Sequence, residues 1–424
     1  NYQGYAIIDT VIANPGAAMI LAIIFVLLIF AYSLVSKRLG RSIITAPIVF
    51  TTAGLLVPLF SPGSLEIGTN LGPLLFVAEM GLVLLLFTDA SRIKLSDVRS
   101  LHRLPARLLS VGMLLTILLG AVAAILVFRG LSIWEAGVLA AILAPTDAGL
   151  GQVIVQSPRV PLRIRNALNI EAGLNDGMSV PFLMFFIAMA QSPTAGSGIL
   201  TNFLIEQLGY GVITGAVIGL AGGFLLGWAH KKGWMDEATE QLGIVALPIL
   251  SMIFSEPSGA SMFIVAFVAG MASQVGFKEI GERSLEFTEG WGQLLNYFVF
   301  FFLGLMASTA WSLFKLDLVI YAILSLTLVR MLPVAVALLG ARLKKSTVLF
   351  MGWFGPRGLA SIVLGLVYIE QEGHLPGEPT IRLAVMLTVL LSVFAHGLSA
   401  LPGISLYEKS VATLAMDAPE VAKR

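Results

Sequence analysis

The chain has 424 residues, 57% of them hydrophobic and only 12% charged, and it carries no cysteine. A soluble domain carries about 25% charged residues, so this composition excludes an ordinary soluble enzyme. Disulfides and thiolate metal sites are excluded too, and the four scattered histidines (His102, His230, His374, His396) form no His-rich metal motif.

Apolar runs of membrane-spanning length recur from end to end. They predict an all-α polytopic membrane protein with thirteen spans. These run roughly over 17–35, 43–60, 71–90, 107–128, 132–150, 166–190, 205–229, 242–255, 260–275, 289–309, 317–340, 347–369 and 381–402. The first run has no small-residue cleavage site after it and is read as a helix that stays. Spans eight and nine are short and separated only by Glu256-Pro-Ser-Gly259.

Charge tests this count. The net charge of +1 is the balance of an uneven distribution. Alternate loops, beginning after span one, hold 21 of the 26 Lys and Arg residues; the opposite loops hold Arg129, Lys315 and Arg382. Basic residues mark the cytoplasmic side. The N-terminus is therefore expected outside and the C-terminus inside, in a plasma membrane or its bacterial or archaeal equivalent. Arg330 and Arg357 fall within spans, as do the acids Glu79, Asp147, Glu171 and Asp176. Charges placed in a bilayer need partners or a function.

Thirteen spans divide as six, one, six, and the two sets of six begin on opposite sides, as in an inverted repeat. The fifth span of each set carries helix breakers: Leu143-Ala-Pro145-Thr146-Asp147-Ala-Gly149 and Gly352-Trp-Phe-Gly355-Pro356-Arg357-Gly358. Broken helices at matching positions point to an ion site near the midplane. Asp147 and Arg357 are placed to neutralise the exposed helix poles.

The sixth span reads Glu171-Ala-Gly-Leu-Asn175-Asp176. On a helix, Asn175 lies about 40° from Glu171 and Asp176 about 140° away, so the two acids face different surroundings. Glu171 is read as the buried partner of Arg330. Asp176 is read as the carboxylate facing an aqueous cavity, where a proton or a bare alkali cation neutralises it, but not both. Thr146, Asn175 and backbone carbonyls freed by the break are candidate oxygen ligands. Glu79 is a candidate for a water-mediated contact. Asp89 and Glu135, near span ends, are read as interfacial, His396 as a packed polar residue, and the run Tyr297–Phe302 as apolar bulk.

Ala144-Pro-Thr146-Asp147, Glu171-x-x-x-Asn175-Asp176, Arg330 and Phe354-Gly-Pro-Arg357-Gly together resemble the monovalent cation:proton antiporter family, in its branch of NhaP antiporters and sodium/proton exchangers. The resemblance covers nearly the whole chain. It implies a homodimer, elevator-like alternating access, and broken fifth and twelfth spans that cross. It implies that Asp176 is the shared cation and proton site, that Glu171 pairs with Arg330, that Asp147 and Arg357 balance the crossing, and that Glu79 is the third-span acid. Asn175, where electrogenic relatives have an acid, implies electroneutral one-for-one exchange. Ala148 and Ala172 depart from the pattern; Ala172 stands where a serine oxygen is common, which keeps potassium beside sodium and lithium as the cation.

The expected activity is thus transport of a monovalent cation against a proton, with no enzymatic reaction, cofactor or nucleic acid. Residues 1–424 are expected to form one transporter domain. Core helices are expected within about 71–190 and 289–402, with dimerisation helices among the other spans. The competing reading is a sodium-coupled symporter of a small organic anion on the same scaffold. An intramembrane aspartyl protease lacks its Gly-x-Gly-Asp context, and no phosphate-binding loop supports an ATP-driven pump.

Overall fold

The computed structural model describes residues 15–40, 42–60, 72–92, 103–191, 208–280, 287–372, 375–412, 418 and 420. His102, His374 and the loop residues Arg41, Lys94, Arg99, Arg283, Lys423 and Arg424 lie outside them.

The described residues are helical, with no strand among them. The chain opens with α1 (Pro15–Leu39), α2 (Ala46–Phe60) and α3 (Gly72–Arg92). Next come α4 (Arg103–Arg107), a π-helical turn (Leu108–Gly112) and α5 (Met113–Val127). Two short helices, α6 (Ile133–Ile142) and α7 (Ala148–Val155), precede the long α8 (Leu162–Gln191). The middle of the chain forms α9 (Gly211–Lys231), α10 (Glu237–Ser255) and α11 (Met262–Ser273). Then follow α12 (Thr288–Thr309), α13 (Leu316–Leu326), α14 (Leu328–Ala337), α15 (Lys345–Trp353), α16 (Leu359–Glu372) and α17 (Glu378–Val411). Among the described residues, nine helices are long and apolar enough to cross a membrane, and Ala46–Pro58, Ile133–Ile142, Met262–Ser273 and Leu359–Ile369 are shorter apolar helices.

Local chemistry sets the helix ends. Ser132 and Glu135 form a capping box on α6, with Glu135 N donating to Ser132 Oγ at 3.2 Å and Ser132 N to Glu135 Oε2 at 2.9 Å. The Glu135 carboxylate also accepts from Gly377 N at 2.7 Å and is buried, so it is a tie between two helix ends rather than an interfacial acid. Asp236 caps α10 through Thr239 N at 3.1 Å. The Thr239 hydroxyl and amide hold its carboxyl below the usual carboxylate range. This cap extends α10 beyond the apolar window, to Glu237 rather than 242, and α17 runs from Glu378 to Val411 rather than 381–402. The stretch 317–340 divides at Thr327, whose backbone leaves helical angles (φ −110°, ψ −91°).

Small residues set the closest crossings. Gly211, Gly215, Gly219, Gly223 and Gly227 recur every fourth residue on α9 and are all buried. A Cβ on Gly219 would overlap the Ala269 carbonyl of α11, and one on Gly223 the Ser273 carbonyl. Gly54 of α2 and Gly304 of α12 meet each other's helix backbones in the same way. The largest apolar core joins α2, α3, α6, α8, α12, α13, α16 and α17.

Candidate functional site

The two broken segments meet. Helix α6 stops at Ile142 and α7 starts at Ala148, while α15 stops at Trp353 and α16 starts at Leu359. Where they touch, Asp147 N donates to the Pro356 carbonyl at 2.8 Å. The Asp147 carboxylate serves both arms: Oδ1 accepts from Leu150 N at 3.0 Å in the first turn of α7, and Oδ2 accepts from Leu359 N at the start of α16. One negative charge thus sits at two positive helix ends. Gly358 is required here, because a Cβ would overlap Asp147 Oδ2.

Arg357 answers the opposite pole. It is fully buried, and Nη1 donates to the carbonyls of Ala144 (2.8 Å) and Pro145 (2.9 Å), just beyond the end of α6. Its backbone N donates to Ser392 Oγ at 2.7 Å. Ser392 Oγ is 3.1 Å from His396 Nδ1, and His396 Nε2 is 3.0 Å from the Trp353 carbonyl that ends α15. His396 therefore braces the second break and is a packed polar group, as its position suggested.

Helix α8 passes beside this crossing with both of its acids buried. Glu171 Oε1 accepts from Arg330 Nη1 at 2.5 Å. Gly355 lies against that guanidinium, where a Cβ would overlap it. Asn175 Nδ2 donates to Thr146 Oγ1 at 2.8 Å, tying α8 to the first break. Asn175 Oδ1 has no hydrogen-bond partner.

Asp176 has different surroundings. It is 3% exposed, its Oδ1 has no hydrogen-bond partner, and it lines a cavity of about 800 Å³. The cavity wall includes Leu39, Ser42, Arg92, Ser157 and Leu162, which lie on the side of the basic loops. Beyond Asp176 on α8, Val180, Leu183 and Ile187 join the packed core.

Of the sequence-derived candidates, the cavity brings together Asp176 and Asp147. Thr146 and Asn175 are joined to each other beside it. Glu79 does not line it: Glu79 is half-buried on α3, ten residues before Asp89, about 15 Å along the axis. The sequence reading missed Asp89, Arg92, Gln152, Glu289, Gln293, Asn296 and Tyr297, which also line the cavity. Asp89, near the end of α3, also faces this cavity, and Tyr297 is no mere bulk: its hydroxyl donates to Gln293 Oε1 at 3.1 Å. One signal was available: Glu289, Gln293, Asn296 and Tyr297 are spaced i, i+4, i+7 and i+8 and form one polar stripe along α12.

Comparison with known proteins agrees with this architecture. The structure resembles that of the sodium proton antiporter MjNhaP1 from Methanocaldococcus jannaschii at pH 8, with a TM-score of 0.68, 18% identity, and coverage of 90% of this chain and 98% of that one. The Na(+)/H(+) antiporter 2 of Zygosaccharomyces rouxii is 27% identical over 270 residues, covering 59% of this chain and 33% of the relative. The K(+)/H(+) antiporter NhaP of Alkalimonas amylolytica is 26% identical over 390 residues, covering 91% of this chain and 65% of the relative. The chain spans about a third of the length of the first curated relatives it matches. The family model for the transmembrane sodium/hydrogen exchanger matches residues 23–402, and the chain belongs to that family.

Proposed function

We propose that the protein is a secondary active antiporter that exchanges a monovalent cation for a proton, one for one, with Asp176 as the shared site. The observation that carries this reading is the buried Asp176 carboxylate, which lines a cavity of about 800 Å³ and whose Oδ1 has no hydrogen-bond partner. A carboxylate in that position is neutralised by H⁺ or by an alkali ion, and each excludes the other. Alternating access then couples the two fluxes when the carrier changes its facing only in a neutralised form. The relatives are named for both Na⁺ and K⁺ exchange, so Na⁺, Li⁺ and K⁺ are the cations to test.

Around Asp176, Asp147 and Arg357 hold the crossing, and Glu171 with Arg330 holds α8 to α14. Thr146 and Asn175 flank the site, and Asn175 Oδ1 is free to ligate. Joining α4 with α5, α6 with α7, α13 with α14, and α15 with α16 gives thirteen spans in the six, one, six arrangement. In this reading the cavity mouth opens to the cytoplasm, the side that basic loops favour, with the N-terminus outside a plasma membrane, an inward-facing state and a homodimer as the working unit. Charge weighs against a symporter of organic anions. The acidic and basic side chains lining the cavity are Asp89, Asp147, Asp176, Glu289 and Arg92, a set that repels an anion and attracts a cation.

The test is exchange in proteoliposomes, read by dequenching of a pH-sensitive dye across Na⁺, Li⁺ and K⁺ at several pH values. Wild type is expected to move protons against at least one cation. Asp176→Asn is expected to abolish exchange while eluting as a folded protein. Transport retained by the folded variant contradicts the assignment.

A further inference from the structure

The geometry points to Asn296 of α12 as a cation ligand and selectivity-determining residue, acting in the same cavity as Asp176; this rests on the antiporter reading above. The argument starts from the polar stripe of α12. Glu289, at the cavity mouth, is held from three sides: Oε2 accepts from Arg92 Nη2, and Oε1 accepts from Gln152 Nε2 of α7 at 3.0 Å and from Gln293 Nε2 at 2.9 Å. Gln293 in turn accepts from Tyr297 Oη, whose ring stacks on Phe50 at 4.6 Å. These bonds fix the rotation of α12 and its register against α7.

Asn296 is the exception in this network. It is 4% exposed, it lines the same cavity as Asp176, and its Oδ1 has no hydrogen-bond partner. A buried carboxamide oxygen without a partner is costly. Its place in the cavity is at the crossing: a methyl on Gly149, in the first turn of α7, would come within 3.4 Å of Asn296 Nδ2 and 3.0 Å of Asp147 Oδ1. A neutral, pre-positioned amide oxygen is the ligand type that hard alkali cations take when they shed water. Ala172 leaves α8 without a side-chain oxygen one turn before Asp176. Asn296, on a different helix lining the same cavity, supplies a neutral oxygen without adding charge, which keeps Asp176 the one group that must be neutralised.

Exchange by Asn296→Ala and Asn296→Asp is measured as a function of Na⁺, Li⁺ and K⁺ concentration in proteoliposomes. The Ala variant is expected to raise the cation KM about tenfold, the effect of one lost contact, with the maximal rate within about twofold. Asn296→Asp, which keeps an oxygen in place but adds a charge, is expected to alter the preference among the three ions. Asn296→Ser serves if the Ala variant does not elute as a folded protein, with an expected KM between those of wild type and the Ala variant. Cation-dependent thermal stabilisation of the purified protein gives a second readout, expected to move to higher concentration in the Ala or Ser variant. Wild-type exchange together with an unchanged KM and unchanged thermal stabilisation in that variant overturns the role of Asn296 alone. Absence of exchange by wild type with all three ions overturns the antiporter reading instead.

Discussion

Glu171 and Arg330 are each about 95% or more buried and bonded to each other. Removing one member leaves the other as an uncompensated charge inside the bundle, a loss of about 3–5 kcal/mol. Glu171→Ala and Arg330→Ala are therefore expected to lower the Tm and folded yield much more than Glu171→Gln, which keeps an acceptor for the guanidinium. Fluorescence-detected size exclusion after a heat challenge checks this; wild-type Tm in both Ala variants contradicts the pairing role. These residues were legible from sequence because an ionised group inside an apolar run has few explanations. Asn296, Asp89 and Glu289 were not. An amide next to Tyr297-Phe-Val-Phe resembles packing material, and acids near helix ends resemble ordinary caps. The spacing along α12 marks one polar stripe, but only its three-dimensional neighbours show that the stripe faces the cavity.

At the level of elements, the two breaks could be read because Pro145, Gly355 and Pro356 each forbid or weaken the helical ladder. Their mutual contact was implied only by family resemblance, since no pattern along the chain encodes a hydrogen bond from Asp147 to Pro356. The division at Thr327 has no proline or glycine to announce it. The glycines of α9 went unread because glycine is common in membrane helices; their every-fourth-residue spacing carried the meaning. Those glycines let the backbones of α9 and α11 touch, so bulk on that face has nowhere to go. Gly219→Leu is expected to destabilise the protein by about 1–3 kcal/mol, whereas a leucine at exposed Val217 is expected to be neutral. Thermal melts of the two variants decide it; equal melts for both contradict the close crossing.

On the scale of the molecule, charge within the site sets the electrical character of transport. Asp147 is committed to two helix ends, Glu171 to Arg330, and Asn175 is neutral. In the proposed mechanism Asp176 is then the single acid at the crossing that exchanges its neutralising ion, which would match one cation to one proton. The exchange rate is therefore expected to be unchanged when a membrane potential is imposed on proteoliposomes with valinomycin, under a Na⁺ or Li⁺ gradient. A rate that follows the potential contradicts this stoichiometry.

The double grip of Asp147 has a mechanical corollary. A single carboxylate that fastens the starts of α7 and α16 acts as a rivet through two beams. Neither beam slides without the other, so in the proposed alternating-access cycle both arms travel as one rigid piece. A staple joining the two arms is therefore expected to leave turnover untouched.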